Sequence, residues 1–68
     1  MKTFEIITMK EDQDYDIRID GKVVYEIRLT SMANGESEYS VMKLGDWRYD
    51  GLTSPTTAIT AALSEYYN

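Results

Sequence analysis

Apolar and polar positions alternate most cleanly between Lys22 and Leu44, and the two halves of that stretch fold onto each other. Val23, Tyr25, Ile27 and Leu29 interleave with Val24, Glu26, Arg28 and Thr30, the period of two that a strand shows when one face is buried. Asn34–Gly35 follows, and the central residues of a type I′ hairpin turn both need positive φ, which Asn and Gly tolerate. A two-residue loop there sets Ala33 opposite Glu36, Ile27 opposite Met42, Tyr25 opposite Leu44 and Glu26 opposite Lys43. That register turns Ser40, Met42 and Leu44 inward and leaves Val24, Tyr39, Val41 and Lys43 on an outer face with Arg28 and Thr30.

Upstream, Lys2–Met9 is rich in β-branched and aromatic residues and reads as a first strand. Its facing is open, because Phe4 and Ile6 lie on one side while Ile7 and Met9 lie on the other. Tyr15, Ile17 and Ile19 alternate with Asp14, Asp16, Arg18 and Asp20, giving a second strand with a solvated aspartate face. Parity favours a three-residue loop, Ile19–Asp20–Gly21, with Gly21 left-handed, because it pairs Ile17 with Val23 and Tyr15 with Tyr25.

Downstream, the run Gly45–Gly51 reads as a linker, with Trp47 either lidding the core or forming a binding hot spot with Arg48. Ser54 then caps a helix that Pro55 opens. Ile59, Ala62, Leu63 and Tyr66 make its apolar stripe. Thr56, Thr57, Thr60, Ala61 and Ser64 form a face with little charge, suited to close approach by another surface such as a second copy. The expected fold is α+β: one domain over residues 1–68, a four-stranded antiparallel β-meander with the C-terminal helix packed on one face. Its expected core holds Phe4, Ile6, Ile17, Val23, Tyr25, Ile27, Leu29, Met42, Leu44, Ile59, Leu63 and Tyr66.

Length sharpens this picture. A chain of 68 residues buries only about 60% of its unfolded surface, so it stands near the lower limit of self-sufficient folding. Cysteine and histidine are absent, which removes disulfides and the usual zinc, haem and iron–sulfur ligands. No apolar run approaches the ~20 residues of a membrane span, and Glu5 interrupts any signal-peptide core. A cytoplasmic location without membrane contact follows as the expectation.

Charge narrows the partner. The net charge of −5 disfavours phosphate backbones and favours a protein with a basic surface. Two acidic groups could supply the contact: Glu11, Asp12, Asp14 and Asp16 at one hairpin end, and Glu36 and Glu38 at another. The spacing of Asp12, Asp14 and Asp16 invites a calcium loop. Such a loop needs Gly at its sixth position and Glu at its twelfth, where Ile17 and Val23 stand.

Catalysis has little to work with. A Ser or Thr nucleophile lacks a His partner, and Lys2, Lys10, Lys22 and Lys43 sit in no catalytic motif. Gly21, Gly35, Gly45 and Gly51 are scattered rather than gathered into a phosphate loop. No cofactor, metal or catalytic residue is expected.

The tail Gly51–Leu63, with Ser54–Pro55 opening an Ala-rich helix, resembles the close of antitoxin-type β-β-β-α modules and of double-stranded RNA-binding domains. The RNA-binding type places lysines at the helix start, where this chain has Pro55, Thr56 and Thr57, and neither family is assigned. The leading expectation is a small acidic, non-catalytic binding module, similar in size and charge to phage and mobile-element inhibitors that occupy nucleic-acid-binding grooves of host proteins. One alternative is a dimeric sheet-type binder of single-stranded nucleic acid using Arg28, Tyr39, Val41, Lys43, Trp47 and Arg48. The other is a structural subunit of a larger assembly.

Overall fold

In the computed structural model, which describes residues 3–68, the strands are β1 (Phe4–Lys10), β2 (Asp14–Ile19), β3 (Lys22–Ala33), β4 (Glu36–Lys43) and β5 (Asp46–Leu52). One helix follows, α1 (Pro55–Tyr67). The strands form an antiparallel sheet in the order β1-β2-β3-β4-β5, with α1 packed across β3, β4 and β5. The α+β class and the meander therefore hold, with one strand more than expected. The expected start of the first strand at Lys2 lies outside the described residues.

The fifth strand exists because Leu44–Gly45 is a turn rather than the entrance to a linker. Leu44 and Gly45 have φ of 51° and 91°, matching Asp20–Gly21 at 52° and 83° and Asn34–Gly35 at 55° and 76°. All three loops are thus two-residue turns with both central φ positive. The three-residue loop expected around Asp20 is not formed, since Ile19 pairs directly with Lys22. The parity mismatch is absorbed by a bulge instead. Ile17 faces Tyr25 and Arg18 faces Val23, so Val24 is the extra residue, and its carbonyl accepts from the Leu44 amide at 3.0 Å.

A second bulge corrects the central hairpin. Ala33 does face Glu36, but Ser31 faces Glu38 and Leu29 faces Tyr39, leaving Thr30 as the extra residue. Beyond it every expected pair shifts by one: Ile27 faces Val41, Glu26 faces Met42 and Tyr25 faces Lys43. Tyr39 and Val41 are therefore buried, while Leu44 stands 72% exposed in its turn. Glu26 takes Arg28 as its ionic partner in place of Lys43.

The core lies between α1 and the covered sheet face. It comprises Tyr15, Ile17, Ile19, Tyr25, Ile27, Tyr39, Val41, Ala58 and Ala62, with Leu29, Ile59, Leu63 and Tyr66 packed around them. Ala58 and Ala62, one turn apart and fully buried, let the helix backbone approach the sheet closely. Ser54 caps α1 as expected, its Oγ accepting from the Thr57 amide at 3.1 Å, with Pro55 in the first turn. Phe4, Ile6, Val23 and Leu44 leave the expected core for the surface, and Met42 is half-buried on the opposite sheet face.

Candidate binding face

Residues directly opposite one another in an antiparallel sheet share a face, so the registers assign every strand side chain. One row runs unbroken across the sheet: Ile7, Asp16, Glu26, Met42 and Trp47. It lies on the face opposite the Tyr25, Ile27 and Val41 core, and α1 is on the other side. Asp14, Arg28 and Ser40 make the adjoining row on that open face. Glu5 and Arg18 lie to one side, and Glu36 and Glu38 continue the face outward.

Arg28 is the cation at the centre of this acidic surface, and it is already engaged. Its Nη2 donates to Glu26 Oε2 at 2.6 Å and its Nη1 to Asp16 Oδ1 at 3.3 Å. Nη1 also reaches the carbonyls of Tyr15 and Ile27. A guanidinium shared by two carboxylates has little attraction left for a phosphate. Beside it the Ser40 hydroxyl is fully buried and has no hydrogen-bond partner.

At the β5 edge the face dips into a shallow depression of about 210 Å³ lined by Thr30, Glu38, Trp47, Asp50 and Gly51. Trp47 is 62% exposed, so it does not lid the core. Placement follows from two bulges in β5. Met42 faces Trp47 while Val41 faces Tyr49, making Arg48 extra, and Tyr39 next faces Leu52. Arg48 swings to the helix side and pairs with Glu65, a strong charge-assisted contact that raises the guanidinium pKa through hydrogen bonding first and charge second. Trp47 is left on the open side with the carboxylates of Glu38 and Asp50.

The residues expected for the two rival sites are thus redistributed. Asp14, Asp16, Glu36 and Glu38 share the open face, and Glu38 meets Trp47 at the depression. Glu11 and Asp12 sit in the β1–β2 loop instead. Tyr39, Val41 and Lys43 are on the covered face, correcting their outer placement. Tyr39 and Val41 are buried, and Lys43 Nζ lies 5.8 Å from the Tyr25 ring centroid. Arg28 and Trp47 remain on the open face, and Arg48 does not. Thr30 was expected on the outer face but not as part of a site, and Asp50 was not foreseen. A fifth strand was needed to place Asp50, and the only cue was Gly45 with the aromatic alternation of Trp47 and Tyr49.

Tyr39 has a supporting task. Its hydroxyl donates to the Asp12 carbonyl at 2.6 Å, and the Asp12 amide donates to the Tyr15 hydroxyl at 2.8 Å. Two core tyrosines therefore hold Asp12 at its left-handed φ of 61° and fix the acidic loop. Burial pushes the Tyr39 phenol pKa up, with the Asp12 and Tyr15 charges adding to it. The Tyr25 phenol is likewise raised, by burial first and Glu65 second.

Among the described residues no three Asp, Glu, His or Cys side chains are grouped to hold a metal ion, and no helix is long and apolar enough to cross a membrane. Comparison with family models, curated proteins and solved structures finds no match to the chain.

Proposed function

We propose that this chain is a small non-catalytic binding module of the cytoplasm, whose open sheet face docks on the basic surface of a partner protein. The observation that carries this reading is the depression that Trp47, Glu38 and Asp50 line together. A depression lined by a tryptophan and two acidic residues suits a lysine or arginine side chain, for which cation–π and ionic contacts are both within reach. The acidic row behind it extends the attraction to further basic groups. On a partner that uses those groups to hold nucleic acid, the module acts as a competitive inhibitor.

The nucleic-acid alternative has less support. Its stacking residue Tyr39 is buried, and Arg28 is held between Asp16 and Glu26.

Trp47 is the only tryptophan, so its fluorescence reports directly on the depression. Titration with an arginine-rich peptide is expected to change that emission, with an affinity that falls as salt rises. Exchanging both Glu38 and Asp50 for their amides is expected to weaken binding about tenfold, in line with about 1–2 kcal/mol for a charged contact. Emission that responds to an oligonucleotide and ignores the peptide would overturn the assignment.

A further inference from the structure

The two edges of the sheet are built differently. The β5 edge carries two of the devices that protect sheet edges against pairing: bulges at Arg48 and around Asp50–Gly51, and charges at Asp46, Arg48 and Asp50. The β1 edge has no bulge along Phe4–Thr8, and Glu5 is the only charge there. That span pairs with β2 in unbroken register from Phe4↔Ile19 to Thr8↔Tyr15, and its bulge comes only afterwards, at Met9. Its composition, Phe-Glu-Ile-Ile-Thr, has high β-propensity and one charge. Phe4 and Ile6 share a face with the core yet stand 45% and 41% exposed.

We propose that β1 is a homodimer seam, at which two copies pair their β1 strands antiparallel about a dyad at Ile6 and join their sheets into one. Ile6 then faces Ile6 of the second copy, Phe4 faces Thr8, and Glu5 faces Ile7, so no two like charges are directly opposed. Centring on Ile6 uses the whole regular span; a dyad moved toward the C-terminus brings the Met9 bulge into the ladder, and one moved toward the N-terminus leaves part of the span unpaired. A second copy fits better here than elsewhere because the chain carries −5, and two copies repel wherever their acidic faces meet. At the seam each brings only Glu5, which already faces Arg18 across the β1–β2 pair. The unpaired backbone groups of the edge gain partners, and the exposed Phe4 and Ile6 are covered. The dimer also sets two open acidic faces side by side on one continuous sheet.

The chain has no cysteine, so one introduced thiol reads the seam. Directly opposed residues in an antiparallel pair have Cα atoms about 4.5–5.5 Å apart, within disulfide reach. Under mild oxidation Ile6→Cys is expected to give a cross-linked dimer. Thr8→Cys should remain monomeric, because two such residues lie roughly four strand positions apart, about 13 Å.

Sedimentation equilibrium of the unmodified chain should show twice the 7.8 kDa mass as concentration rises from micromolar to millimolar. Ile6→Lys should shift that association at least tenfold toward monomer while its circular dichroism stays native. A monomer throughout the range, or equal cross-linking of Ile6→Cys and Thr8→Cys, would overturn the seam. The outcome is separable from the binding proposal, since Trp47→Ala is expected to leave the dimer intact and abolish only the peptide response.

Discussion

The two faces of this sheet are made by the same strands and do opposite work. On the covered face Tyr25, Ile27 and Val41 are fully buried against Ala58 and Ala62. On the open face their immediate chain neighbours Glu26, Arg28 and Met42 form part of an acidic surface ending at Trp47. Alternation along a strand separates the residues that hold the fold from those free to meet a partner. Charge can therefore collect on the open side without entering the core.

The largest effect separating the faces is expected at Ile27, where Ile27→Ala should cost about 2–5 kcal/mol in a urea melt for the cavity left at the centre of the sheet. A loss under about 1 kcal/mol would mean that the two layers are loosely packed. Ala62→Leu comes next. It forces a larger side chain into the close helix–sheet contact and should cost about 1–3 kcal/mol. Tyr39→Phe should cost about 1 kcal/mol by removing the hydrogen bond to the Asp12 carbonyl, with faster amide exchange confined to the 11–13 loop.

Alkaline titration tests the same buried hydroxyls. Tyr25 and Tyr39 have pKa values raised above the ordinary 10.0, so below that pH both states are protonated and the stability is constant. Above it the unfolded chain ionises first, and stability should fall as pH climbs through the raised folded values. Tyrosinate absorbance and loss of circular dichroism should then rise together for these two residues. On the open face Trp47→Ala should move stability by only about 0.5 kcal/mol, the usual range for exposed substitutions. The sign reverses at the β4–β5 turn. Leu44→Asn replaces a branched side chain at positive φ by the residue type that the Asn34 turn uses, and should add about 0.5–1 kcal/mol.

Much of the framework could be read from local signals. Asn34–Gly35, Ser54–Pro55 and the alternation of Tyr15, Ile17 and Ile19 each act through neighbouring backbone geometry, and each stands where expected. Bulges have no comparable mark. Thr30 and Val24 are ordinary strand residues, yet each adds one position and changes which side chains face inward from there on. One unsignalled residue at Thr30 was enough to exchange Tyr39 and Val41 for Met42 and Leu44. Leu44 also hid the last turn, since leucine rarely takes positive φ. The fifth strand and Asp50 went with it. Trp47 and Glu38 were both singled out by residue type, but only the β5 bulges bring them to one depression.

The sequential strand order has a consequence during synthesis on the ribosome. Each strand pairs only with its neighbour in the chain, so hairpins can close one after another as they emerge, each within microseconds and without waiting for a distant segment. The helix that packs against Tyr25 and Ile27 follows all five strands in the chain. Until Tyr67 has left the exit tunnel the nascent sheet leaves its apolar face uncovered, and the interval before α1 docks is when a chaperone has most to hold.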